Sequence, residues 1–281
     1  MHDTIRNRFP GCLAALVLAS GCAGGGSTAG QAAGASTQLL VEVTVVNDYS
    51  RYQDLGANTE KDTGDIINMV NAFFSRSSEF TRYVPQIILV GQRTITSAES
   101  DPLDGVSVDS DGDVVFTDAL YRFAGYRSAQ LASPPYANDA AILLTHRHGS
   151  GATVSLAYTW QVCSPVGSAA VVEVNHTLPF DASSVAHALG HLLGMCHDPP
   201  ATRPGGNPGC RALAADEAGS TCVNRIMAAS SSPSAVNDRF SQCSAGDLND
   251  FVDNRMGIPN CLTTPVTGVA MGTVEVLQPE R

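Results

Sequence analysis

The chain has 281 residues, 43% hydrophobic and only 15% charged, a composition that fits a globular protein with a sizeable core. Lysine and arginine total 16 against 27 aspartates and glutamates, a formal charge of -11, which argues against a nucleic-acid or anionic-membrane partner. No apolar run is long enough to form a transmembrane segment.

The N-terminus reads as an export signal. Arg6 and Arg8 precede a short apolar run from Cys12 to Ala19, and small residues follow. Ala19-Ser20-Gly21-Cys22 suits a signal-peptidase site, and it also resembles a bacterial lipobox in which Cys22 carries a lipid anchor. Either reading makes residues 1–22 a signal and sends the protein out of the cytoplasm, secreted or held on the cell envelope. Residues 23–37 are Gly, Ala, Ser and Thr and read as a flexible tether. Beyond the signal remain Cys163, Cys196, Cys210, Cys222, Cys243 and Cys261, an even set that in an exported protein favours three disulfides with the pairing open. Asn175-His176-Thr177 is a glycosylation acceptor in a eukaryotic secretory pathway.

The expected domain covers residues 38–262, with a tail at 263–281. It opens with a β-branched strand at 39–46, bounded by Asn47 and Asp48. Asp62 or Thr63 then caps a helix whose apolar face is Ile66, Ile67, Val70, Phe73 and Phe74. A second strand is expected at 86–90. The acidic segment from Asp109 to Asp113 resembles a calcium loop but lacks a glutamate at the closing position, so it reads as a solvated turn with weak support for calcium. A helix at about 117–131, strands at 139–145 and 169–174, and a short last helix near 245–254 complete the pattern. Alternating strands and helices predict an α/β fold with a mixed, mostly parallel sheet. After Gly194, Pro, Gly and Cys dominate, which reads as an irregular, disulfide-tied lower part of the same domain.

The chemistry concentrates between Asp181 and Asp198. Asp181 or Ser183 caps a helix, and Val185, Leu189 and Leu192 give it a core-facing stripe. His187 and His191, four residues apart, project side by side. Gly194 suits the left-handed conformation that ends a helix, and the turn it makes returns His197 toward the other two. Three neutral imidazoles on one centre, with a fourth position open, describe a catalytic zinc (Zn2+) site. A histidine taken singly is more often a satisfied surface or core residue, the reading given to His146, His148 and His176.

This segment resembles the metzincin signature H-E-x-x-H-x-x-G-x-x-H, and the trailing Asp198 resembles the reprolysin branch: snake-venom metalloproteinases, ADAM proteases and their tick relatives. The run from Cys222 to Ile226-Met227 is similar to that family's Met-turn, which implies a methionine beneath the zinc. Phe240-Ser241-Gln242-Cys243-Ser244 is similar to its Phe-Ser-x-Cys-Ser segment. The resemblance implies a metzincin fold, His187, His191 and His197 as zinc ligands, structural roles for Gly194 and Asp198, and extracellular proteins or peptides as substrates or ligands. It also implies a Cys163–Cys261 disulfide, with Cys196, Cys210, Cys222 and Cys243 forming two more.

Two departures bear on activity. Ala188 stands where the family's glutamate takes a proton from the attacking water and passes it to the leaving amine. Positioned acid–base catalysis of this kind contributes roughly 10²–10⁴-fold in rate. Glu173, on the strand before the helix, is the surrogate base to consider. The family's latency prodomain is also missing, since only the 23–37 tether separates the signal from the first strand. Three readings result: a catalytically impaired zinc endopeptidase, a zinc-holding pseudoprotease that binds peptides as a decoy or inhibitor, or an active enzyme inactivated by an introduced alanine.

Overall fold

The computed structural model describes residues 36–133, 137–198, 225–229, 233, 236–254 and 261–262. Five strands form one sheet: β1 (Thr37–Asn47), β2 (Tyr83–Thr94), β3 (Ala140–Thr145), β4 (Ser155–Ala157) and β5 (Ala169–Glu173). Their order is β2-β1-β3-β5-β4, with every pair parallel except β4 on β5. The α/β, mostly parallel architecture is therefore the one the residue pattern calls for. Strands covered on both faces must be apolar on both. Val41, Val43 and Val45 of β1 point into one core with Ile142 and Leu144, while Val46, Leu143 and Val171 point into the other.

Helices cover both faces: α2 (Thr59–Arg76) and α4 (Leu178–Leu192) on the first, α3 (Phe116–Gln130) on the second. All five apolar residues expected on α2 are buried. Helix α5 (Gln242–Asn254) is tied to the start of β2, where Arg82 and Tyr83 both reach Asp253, at 2.6 and 2.9 Å. Phe240, just before α5, stacks into Phe74 and Phe80 with ring centroids 4.4 and 5.3 Å away. Its N–H donates to Ser77 Oγ at 2.9 Å.

The helix starts differ from expectation, for local reasons. Asp48 does not simply end β1: it caps a short helix α1 (Tyr49–Leu55) by accepting the Arg51 N–H at 3.0 Å. Helix α2 begins at Thr59, one turn before Asp62 and Thr63. Those two side chains instead hold the guanidinium of fully buried Arg51, together with Asn47. A buried charge needs such partners more than a helix needs a side-chain cap. Helix α4 likewise starts at Leu178, with Pro179 in its first turn, where a missing N–H costs nothing. Asp181, expected as its cap, reaches back to the His176 N–H at 3.3 Å. Edge strand β4 is only three residues long and carries no alternation to betray it.

The acidic 109–113 segment closes on itself. Asp109 Oδ1 accepts the N–H groups of Asp111 and Asp113 at 2.9 and 3.1 Å. Cys163 and Cys261 form a disulfide across 98 residues of sequence. Cys196 and Cys243 are disulfide-bonded as well, whereas Cys22, Cys210 and Cys222 lie outside the described residues.

Candidate metal centre

Helix α4 carries His187 and His191 on one side, and the turn after it supplies His197. Gly194 makes that turn with φ +92°, the left-handed conformation its position predicts. Its N–H bonds to the His191 carbonyl at 3.0 Å, and the Met195 N–H to the Gly190 carbonyl at 2.8 Å. A side chain at 194 is barred twice over, since a Cβ would sit 2.6 Å from Phe251 Cγ and 2.9 Å from Trp160 Cδ1.

The chain reversal brings Nε2 of His197 to 3.2 Å from Nε2 of His187 and 3.1 Å from Nε2 of His191. The other ring nitrogens are held by the backbone: His187 Nδ1 by the Ile226 carbonyl at 2.7 Å, His191 Nδ1 by the Met195 carbonyl at 2.9 Å. A carbonyl only accepts, so each Nδ1 carries the proton and each Nε2 turns its lone pair inward. Burial, before any other cause, pulls the pKa of His187 down to about 4 and of His191 to about 3, and it lowers that of His197 too. All three imidazoles are thus neutral at pH 7, the form that ligates metals. With His197 in the same tautomer, three lone pairs at this spacing repel one another unless a cation lies between them. Nitrogen ligands at the usual zinc distance, disposed tetrahedrally, stand about 3.3–3.4 Å apart. The donor set fits zinc in protonation state and spacing, and His187 and His191 also in tautomer.

Ala188 lies between the two helical histidines and is 1% exposed. Among the described residues no carboxylate oxygen joins the imidazole nitrogens to make a larger cluster. Glu173 is not brought to them by any hydrogen bond. One of its oxygens accepts the Gly149 N–H at 3.0 Å and the other contacts His148 Nδ1 at 2.8 Å. His176 lies beside it and next to Asp181, and His146 Nδ1 meets Asp54 at 2.7 Å. These three histidines are satisfied locally. Asn175 is exposed, with its side-chain amide donating to the His146 carbonyl at 3.3 Å.

Asp198 turns away from the imidazoles. Its N–H bonds to the Met227 carbonyl at 2.8 Å, and its Oδ1 accepts from the hydroxyls of Ser241 and Ser244. Burial raises its pKa to about 6. Met227 is fully buried beneath the helix. A Cβ on Gly190 would lie 2.4 Å from its sulfur, so the methionine occupies the space that this glycine leaves between the two histidines.

Sequence reasoning passed over Gly190, although a glycine inside a helix pattern signals a close approach. It also missed Trp160, for which the sequence carries no signal. That residue, at φ +61°, donates its indole N–H to the Gly194 carbonyl and its backbone N–H to the His191 carbonyl, both at 2.9 Å.

The sequence also resembles known proteins. The family model for "Reprolysin (M12B) family zinc metalloprotease" matches residues 40–265. Human disintegrin and metalloproteinase domain-containing protein 33 is 30% identical over 266 residues, which are 92% of this chain and 28% of that protein. The chain therefore spans little more than a quarter of the human relative's length. Snake venom metalloproteinase TM-1 from Protobothrops mucrosquamatus is 33% identical over 162 residues, 57% of this chain and 67% of the relative. Among solved structures, metalloproteinase-II from Bacteroides fragilis aligns with a TM-score of 0.48 at 15% identity, covering 77% of this chain and 54% of that one. A glycine-turned triad of neutral imidazoles over a buried methionine, within a sequence matched from 40 to 265, leads to one conclusion: the chain belongs to the reprolysin family of zinc metalloproteases.

Proposed function

We propose that this chain is an exported reprolysin domain that holds zinc through His187, His191 and His197 and has lost most or all of its peptide-bond hydrolysis. The observation that carries the reading is the pairing of an intact, correctly protonated imidazole triad with Ala188. In the same reading residues 1–22 are a signal, 23–37 a tether, 38–262 the folded domain and 263–281 a tail. The family match over 40–265 supports the third of these. Zinc, when bound, polarises a carbonyl and lowers the pKa of water. The chain's own residues then have to position a peptide and move a proton. A methyl group cannot accept one, and the carboxylate of Glu173, on the strand before the helix, is engaged by Gly149 and His148. What remains is a cleft that binds an extracellular peptide or protein and turns it over slowly or not at all. A peptide-binding decoy or inhibitor is the physiological form this takes, either secreted or anchored to the envelope through a lipid on Cys22.

The test has two arms. Zinc content of the purified protein is expected near one ion per chain, and less than about half an ion would remove the site assignment. Cleavage of a broad peptide mixture is then compared for the protein as it stands and for Ala188→Glu. Restoring the carboxylate is expected to raise the rate by roughly 10²–10⁴-fold. Chelator-sensitive cleavage by the unaltered protein at a rate near the variant's would overturn the inactive reading. A gain in the variant alone identifies the alanine as the whole lesion. Silence in both forms favours a binding role with deeper losses.

A further inference from the structure

A cavity lies at the carboxyl ends of the parallel strands. About 370 Å³ in volume, it opens between segments that follow three neighbouring parallel strands: Tyr49 and Ser50 after β1, Asp101 to Asp104 after β2, and Arg147 after β3. Its location follows from the topology. The chain passes from β1 through α2 to β2 on one side, then returns through α3 to β3 on the other side of β1. Helices α2 and α3 lie on opposite faces of the sheet. The winding direction thus reverses between β1 and β3. In open α/β sheets the crevice outside the carboxyl ends of the strands at such a reversal is where ligands bind. The volume falls within the range of about 300–1,000 Å³ usual for small-molecule sites. None of the three triad histidines lines it.

The lining carries both signs of charge, held apart. Asp101 is fixed at the wall by the Tyr49 N–H at 3.2 Å and the Leu103 N–H at 2.8 Å. Arg147 donates one guanidinium N–H to the Leu103 carbonyl at 3.4 Å. The Arg147 charge favours the ionised form of Asp101, yet no ion pair joins them among the described residues. Exposed Asp104 adds a further negative charge at the mouth. A lone anion would find Arg147 but be repelled by Asp101, and a lone cation would meet the reverse. A molecule with a carboxylate and an ammonium a few bonds apart satisfies both at once, the carboxylate on the planar guanidinium fork.

We infer that this cavity binds a small zwitterion of the α-amino-acid class, its carboxylate on Arg147 and its ammonium on Asp101. The inference is independent of whether the imidazole centre hydrolyses peptides. It is tested by calorimetric titration of the zinc-loaded full chain with glycine, L-serine and L-glutamine, and with acetate and methylammonium as single-charge probes. At least one amino acid is expected to bind with a Kd on the order of 1 mM or tighter. Acetate and methylammonium are expected to bind at least roughly tenfold more weakly, as is the best amino acid to Arg147→Met and to Asp101→Asn. Zinc content should stay unchanged in both variants. Asp101→Asn gives up one backbone contact and risks misfolding. Arg147→Met loses a single bond to one carbonyl, so that variant decides the matter alone if the other does not fold. The proposal is overturned if no amino acid binds below about 10 mM, if acetate binds as tightly as the amino acids, or if Arg147→Met binds them unchanged.

Discussion

Replacing Gly194 by alanine tests whether the turn that returns His197 is held as described. The backbone there sits at φ +92°, which disfavours any residue with a Cβ. That conformational penalty is about 1–2 kcal/mol. The new methyl would also lie 2.6 Å from Cγ and 2.7 Å from Cβ of Phe251, and 2.9 Å from the indole of Trp160. Phe251 is buried, and the Trp160 indole is pinned by its bond to the Gly194 carbonyl, so neither can move aside freely. Overpacking of this kind costs roughly 1–3 kcal/mol. The sum, about 2–5 kcal/mol, is a large share of a typical stability of about 5–15 kcal/mol. Gly190→Ala is the informative partner. It meets Met227 Sδ at 2.4 Å, but its helical backbone incurs no penalty and gains about 1 kcal/mol in propensity. Its net cost should be only about 0–2 kcal/mol. Urea unfolding of both variants, with zinc and after its removal, reads these values. Because the 194 turn positions His197, a ligand in the proposed zinc site, its cost should be larger with zinc present, since weakened binding to the native state adds to the strain. A loss below about 1 kcal/mol at 194, or one identical with and without zinc, would refute the reasoning.

Other expectations follow from single observations. Burial, the largest cause, holds the Asp139 pKa up at about 7; the Glu42 charge adds to it, while the Glu42 N–H and the Arg127 charge oppose it. The folded chain therefore keeps a proton that the unfolded chain has lost between about pH 4 and 7. Its contribution to stability falls as pH rises through that window and is flat outside it, so Asp139→Asn should gain on the parent by on the order of 4 kcal/mol from pH 4 to 8. Parallel unfolding curves in buffer without added divalent cations check this. Removing the Cys163–Cys261 bridge by a double change to alanine frees a loop of 98 residues. The expected cost is about 4–5 kcal/mol, read as a lower denaturation midpoint, and a loss under about 1 kcal/mol would contradict it. Glu173→Gln should lower stability through the Gly149 and His148 contacts while leaving any residual cleavage unchanged; loss of that cleavage would reinstate Glu173 as a base.

Much of this was legible in the residue order, for a physical reason. Spacing along a helix fixes which side chains share a face, so His187 and His191 were certain neighbours once the helix was granted. Gly194 likewise announces its own backbone geometry. What stayed hidden depends on partners far away in sequence. The start of α2 could not be read because Asp62 and Thr63, good caps by type, are drawn to Arg51. The role of Trp160 arises from two carbonyls more than thirty residues on, His191 and Gly194. The carbonyls that orient the triad, Ile226 and Met195, belong to the backbone and have no residue type to recognise. Strand β4 owes its existence to β5 rather than to any pattern of its own.

Those backbone carbonyls also explain how metal binding and hydrolysis can part company. In many zinc sites a carboxylate orients each ligating imidazole, and losing one typically costs 10–100-fold in affinity. Here the orienting acceptors of His187 and His191 are main-chain oxygens that no side-chain change can delete. Residue 188 contributes nothing to them, and burial alone is the largest cause keeping the rings neutral. Zinc affinity should therefore be the same within about threefold in the parent and in Ala188→Glu, while their cleavage rates differ by orders of magnitude. Competition against a chromophoric chelator measures the first, and peptide turnover the second. A variant that gained zinc affinity along with activity would mean that the missing carboxylate belonged to the metal site itself, and the separation argued from the carbonyls would fail.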